Sequence, residues 1–165
     1  MVRNLLSVKS YDLKTNLGLL VLRVGANVPL FIKHGWEKVY PPSFAELATG
    51  FPDPAHIGHV PSLIVALISD AICSILLVLG LGTRFAGAYI FVVLSVAWTF
   101  THHFVFLGKG IEPKHGELIV MYITESLALA LLGPGKFSLD WLLWRSKEEV
   151  SAAPRPVGQV KGAVV

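Results

Sequence analysis

Three ionisable residues, Arg23, Asp70 and Glu125, each stand inside a long apolar stretch of the chain. A charged side chain within a membrane-spanning helix is costly and marks either function or a structural pair. One cation beside two carboxylates can hold a proton or grip a polar head group, so these three are the candidate catalytic residues. Around Arg23 the polar residues Asn16, Arg23, Asn27 and His34 follow spacings of 7, 4 and 7. At about 100° per residue they share one helix face. Ser95, Thr99 and His102 share another, at spacings of 4 and 3. Glu117 and Thr124 lie on one face of a further stretch, with Glu125 turned by about 80°. Asp70, Cys73 and Ser74 cluster on theirs.

A second pattern is the placing of histidine. His34, His56, His59, His102, His103 and His115, with Glu112 and Glu117, all fall at one set of segment ends. Asn27 extends the charged centre towards them. His34, His102, His103 and Glu117 are the residues expected to line a polar mouth that exchanges protons, while His56 and His59 read as loop residues in water. Histidine also ligates metals, but no ligand spacing of known type occurs and no metal site is expected. Cys73 is the lone cysteine. A single thiol on an apolar helix reads as packing. There is no P-loop, dinucleotide fingerprint, HExxH or CxxC.

The elements that must position these residues follow from composition. The 165 residues are 53% apolar and 15% charged, with a mean hydropathy of +0.63. About 25% charge is usual in soluble domains. Disorder, a disulfide scaffold and a large catalytic domain outside the membrane are all excluded by these values. Four segments suit the roughly 20 apolar residues a membrane helix needs: about 17–36, 61–80, 85–107 and 116–132. The expected fold is therefore an all-α integral membrane four-helix bundle over residues 1–145, with a polar flexible tail at 146–165. The outer loop 37–60 reads as turns and extended chain. Gly133-Pro134-Gly135 stops the fourth helix. Ser138 can then cap a short interfacial helix from Leu139 to about Trp144.

Depth and direction can be read from the same segments. At 1.5 Å per residue, Arg23, Glu125 and Asp70 lie roughly 9, 10 and 15 Å from one boundary, which predicts a single buried slab. Arg3, Lys9, Lys14, Arg84, Lys136, Arg145, Lys147, Arg155 and Lys161 lie on one side, against Lys33, Lys38, Lys109 and Lys114 on the other. By the positive-inside rule both termini are cytoplasmic. The basic charge (+3) sits at segment flanks, which suits a lipid bilayer and not nucleic acid. The small-xxx-small spacing of Ser126 and Ala130 is the one signal for a homo-oligomer.

The stretches LRVGANVPLFIKHGWEKV at 22–39, LLVLGLGTRFAGA at 76–88, GELIVMY at 116–122 and GPGKFSLD at 133–140 carry a family likeness. On these the chain resembles the DoxX family of small bacterial membrane proteins. The resemblance implies a four-helix protein of the bacterial inner membrane. It also implies a link to quinone-coupled sulfur oxidation, through a thiosulfate:quinone oxidoreductase subunit. Family members carry a glutamate where this chain has Asp70, whose expected partner is Arg23. Glu125 and the His102-His103 pair depart from the family's pattern. The function expected is a membrane subunit of a quinone-linked redox system, with quinone as its cofactor. The alternative is a non-catalytic anchor for a soluble redox or stress-response enzyme. A small-solute transporter ranks third.

Overall fold

A computed structural model describes residues 11–101 and 116–144. Every regular element in them is helical. Helix α1 runs over Leu13–Val39, α2 over Pro41–Leu47, α3 over His59–Leu79 and α4 over Thr83–Thr101. Helix α5 covers Gly116–Leu132 and α6 covers Leu139–Trp144. Three of these, α1, α3 and α4, are long and apolar enough to cross a membrane. At 17 residues α5 is shorter, about 26 Å at the standard helical rise. The protein is thus an all-α, multi-span membrane protein. Residues 37–60 are not wholly turns and extended chain as composition suggested. Pro41 and Pro42 open the seven-residue α2, where a missing N–H costs nothing.

The burial pattern inverts that of a water-soluble bundle. Large apolar side chains point outward, among them Val21, Phe85, Val92, Met121 and Leu131. Arg23, Asn27, Ser69, Ser74 and Ser126 are wholly enclosed. Lipid accepts the apolar skin, and polar groups turn towards one another.

Helices α1, α3 and α4 each contain a wide π-type turn, at Phe31–Gly35, Ile68–Cys73 and Ala97–Thr101. In α1 it follows Pro29, which cannot donate to the Gly25 carbonyl. A π turn inserts one extra residue into the helical register. The buried face of α1 accordingly runs Asn16, Leu19, Arg23, Asn27, Leu30, and then Gly35 and Lys38. Regular α spacing would have put His34 inside, whereas here it is exposed.

The π turns of α1 and α3 lie against each other. Gly35 permits this, because a Cβ there would collide with the Asp70 carbonyl. Gly87 of α4 plays the same part against α5. A Cβ on Gly87 would fall 2.7 Å from the Ser126 carbonyl oxygen and 3.1 Å from the Ala130 nitrogen. The Ser126–Ala130 stripe is therefore used within the chain, and the spacing read as a signal for association has a partner already.

Candidate functional site

Polar residues of the bundle gather in two regions. The first is a clamp at the end where α3 turns into α4. Gly80 and Gly82 adopt left-handed backbone there, at φ +70° and +58°. Gly82 has no capping side chain of its own, so the first amides of α4 need a distant acceptor. Asp140 of α6 supplies it. Its Oδ1 accepts from the Gly82 N–H at 2.8 Å and its Oδ2 from the Thr83 N–H at 2.9 Å. The Asp140 N–H in turn donates to the Gly80 carbonyl at 2.9 Å.

Segment 133–140 is held by two more side chains, Asn16 and Arg23. Asn16 Oδ1 accepts from the Lys136 N–H at 2.7 Å. Arg23 Nη2 donates to the Phe137 carbonyl, and its Nη1 reaches the Leu77 carbonyl at 3.5 Å. Asp140 lies within electrostatic reach of Arg23. At the end of α5, Arg84 Nη1 donates to the Leu131 carbonyl at 2.9 Å and the Tyr11 hydroxyl to the Leu132 carbonyl at 3.0 Å. These are the carbonyls a helix leaves unsatisfied. Ser138 caps α6 as expected, accepting from the Trp141 N–H at 3.0 Å.

The second region is a buried column further along the bundle. Asn27 Nδ2 donates to the Arg23 carbonyl at 3.0 Å and to Glu125 Oε1 at 2.9 Å. Beyond it Lys38 Nζ lies 3.2 Å from Asp70 Oδ2, 3.2 Å from Glu37 Oε1 and 2.7 Å from the His34 carbonyl. Tyr122, one turn from Glu125 on α5, is within electrostatic reach of both Glu125 and Asp70. Four buried polar atoms of this column have no hydrogen-bond partner: Asn27 Oδ1, Glu125 Oε2, Asp70 Oδ1 and Ser69 Oγ. The two donor bonds of Asn27 fix which of its atoms is the amide nitrogen, so the bare atom is an acceptor.

This arrangement corrects the expected charged centre. Arg23 does not pair with Asp70. Arg23 sits against Gly80, whereas the Asp70 backbone sits against Gly35. Ten residues separate Asp70 from Gly80 on one helix, roughly 15 Å along its axis. Asp70 pairs with Lys38, and Glu125 bonds to Asn27. Depth counted from assumed span ends placed all three in one slab. The π turns and the reach of the Arg23 side chain towards segment 133–140 undo that count.

Lys38 is the residue sequence reasoning missed. It read as a flanking charge in a loop, yet it is only 5% exposed. The available signal was Pro29 upstream, which announces a break in helical register. Glu117 is exposed at the start of α5. Ser95 and Thr99 bond back to carbonyls four residues earlier, those of Phe91 and Ser95. His102, His103, His115 and Glu112 lie outside the described residues. Among the described residues no three His, Cys, Asp or Glu side chains converge on a metal position.

Residues 18–103 match the DoxX family model, more than half of the chain. The chain belongs to the DoxX family. It is thus a multi-pass inner-membrane protein. The DoxX match takes in Arg23, Asn27, Lys38 and Asp70, and Glu125 and Asp140 lie beyond it. An uncharacterized protein of Haemophilus influenzae is 34% identical over 103 residues, which cover 61% of this chain and 66% of that relative. No solved structure matches the chain.

Proposed function

We propose that this DoxX protein is a membrane subunit of a quinone-linked redox system, with Glu125 and Asn27 at its head-group site. In this reading α5 is the fourth span and both termini face the cytoplasm. Trp141 of α6 then stands at the head-group level of that side, with Lys136 Nζ 5.6 Å from its ring centroid.

The observation that carries the reading is the pair of bare buried acceptors, Asn27 Oδ1 and Glu125 Oε2. A buried acceptor left unpaired costs about 1–3 kcal/mol. Something that donates hydrogen bonds fits there. The reduced quinol has two hydroxyl donors, whereas the oxidised quinone has only acceptors. When bound, the quinol would supply electrons and protons to the system. The chain's own part is to orient a hydroxyl on Asn27, take its proton at Glu125 and exclude lipid.

A thermal shift of the purified protein on adding a short-chain quinol tests this. The expected result is a rise in Tm for the wild type and none for Glu125→Gln. No rise in the wild type overturns the proposal.

The anchor reading rests on a different observation: Arg23 is occupied in fastening segment 133–140. Under it the buried charges only hold the bundle together. Replacing Arg23 does not separate the two readings, since both require the clamp. Glu125→Gln does, because only the redox reading makes that carboxyl a ligand.

A further inference from the structure

We infer that Glu37, Lys38 and Asp70 form a one-sided entry by which protons reach Glu125 from the loop face of the bundle. Glu37 and Glu46 line an open cleft of about 440 Å³ between α1, α2 and residues 49–52. The Glu37 side chain is 48% exposed, and it bonds the nearly enclosed Lys38. Lys38 bonds Asp70, which is buried. The three therefore lead without interruption from solvent to a carboxylate inside the bundle.

The column continues the route inward. Asp70 Oδ1 and Ser69 Oγ are bare on the near side, and Glu125 Oε2 and Asn27 Oδ1 on the far side. Tyr122 lies one turn from Glu125 and packs against the buried cluster that holds Cys73, itself one turn from Asp70, and a phenol hydroxyl can both accept and donate. Among the described residues, the ionisable groups around the route are Arg23 and Lys38 on α1, Asp70 and Cys73 on α3, Tyr89 on α4, and Tyr122 and Glu125 on α5. Tyr89 packs against the buried cluster that holds Cys73.

Among the described residues the opposite end is closed. Beyond Asn27 the helix face meets Arg23, whose guanidinium is wholly enclosed and bound to backbone carbonyls. Segment 133–140 then covers that end, tied down by Asn16, Arg23 and Asp140. A guanidinium also keeps its proton, so Arg23, unlike the Lys38 ammonium, relays none.

The transfer balances simply. The Lys38 ammonium gives a proton to Asp70 and regains one from the cleft through Glu37. Asp70 passes a proton by way of Tyr122 to the Glu125 carboxylate. The net change is one proton from the loop-side solution and a neutral Glu125.

The route deepens the proposed function, since it feeds the residue assigned there, but its test needs no quinol. The full chain is reconstituted in one orientation in phospholipid vesicles, and the protonated-carboxyl infrared band of Glu125 is assigned by its loss in Glu125→Gln. A pH jump on the loop side is expected to change this band promptly, and a jump on the clamp side only slowly. The double variant Lys38→Met/Asp70→Asn removes both charges together and avoids stranding one of them. It is expected to slow the loop-side response about tenfold or more. Should it fail to fold, Glu37→Gln breaks the relay at its half-exposed end and is expected to slow the response severalfold. An unchanged rate in the folded variant, a faster response from the clamp side, or a band that never follows pH overturns the inference. Quinol binding could hold or fail independently of each result.

Discussion

Two buried carboxylate settings lie along the same bundle, and they are finished differently. In the clamp both oxygens of Asp140 accept from backbone amides. In the column Asp70 and Glu125 each have one bonded oxygen and one bare oxygen. Asn16 and Asn27 repeat the contrast. Asn16 uses both its amide oxygen and its nitrogen, whereas the Asn27 oxygen has no partner. The clamp keeps two bare atoms of its own, Arg23 Nε and Thr83 Oγ1, but its carboxylate and its carboxamide are fully engaged. A buried carboxylate with both oxygens bonded rigidifies a fold, and one with a bare oxygen demands another partner. The clamp is architecture. The column, equally buried, is where a ligand or proton has unfilled positions to occupy.

Breaking the comparison at its strongest point means stranding a charge. Lys38→Met leaves Asp70 enclosed with no counter-ion, and the expected loss of stability is about 3–5 kcal/mol. Lys38→Met/Asp70→Asn is expected to recover most of it, read as thermal melting in mild detergent. A sharper version compares two carboxyl-to-amide changes. Asp140→Asn turns an NH₂ group against one of two backbone N–H donors and is expected to cost about 3 kcal/mol. Glu125→Gln removes a buried charge that has only one partner, and is expected to change stability by less than about 1 kcal/mol. Equal losses would mean the two regions are one kind of structure.

Gly80 sharpens the clamp side further. Its φ of +70° suits glycine, and a Cβ there would collide with Arg23 Nη1 and Ser138 Cβ. Gly80→Ala is expected to cost more than about 1 kcal/mol, from backbone strain alone. The same measurement checks it.

The sequence made the membrane class, the helix order and α6 legible because each rests on local signals. Apolar length announces a span, and Gly133-Pro134-Gly135 followed by Ser138 announces a stop and a new start. The buried identities of Arg23, Asn27, Asp70 and Glu125 were legible for the same reason. Their pairing was not. It depends on how α1 and α3 are staggered, and that stagger is set by Gly35 against Asp70 and Gly80 against Arg23. It also depends on π turns that shift the inward face by one residue, trading His34 for Gly35 and Lys38. A regular 3.6-residue count holds only while the helix stays regular.

Two smaller effects complete the series, one at each end of the bundle. Ser138→Ala removes the cap of α6 and is expected to cost about 1 kcal/mol. At the loop end Asp53 accepts from the Ile57 N–H at 3.0 Å, the Gly58 N–H at 2.7 Å and Ser62 Oγ at 2.7 Å. These bonds hold its carboxyl below the ordinary value of 3.8, the Ser62 hydroxyl having the largest effect. A group with a lowered folded pKa stabilises fully above its unfolded value, and that contribution fades as pH falls through the folded one. Residues 51–62 are therefore expected to keep their turn at neutral pH and to loosen only in acid, below the ordinary carboxylate range. Ser62→Ala should move the Asp53 titration, followed by NMR of its carboxyl carbon, back up towards 3.8 and loosen the turn at correspondingly higher pH. An unmoved titration would show that the backbone amides alone set it. Because Asp53 is half-buried at the surface while Asp70 and Glu125 are enclosed, its titration gives the baseline for a carboxylate with its bonds made within reach of water.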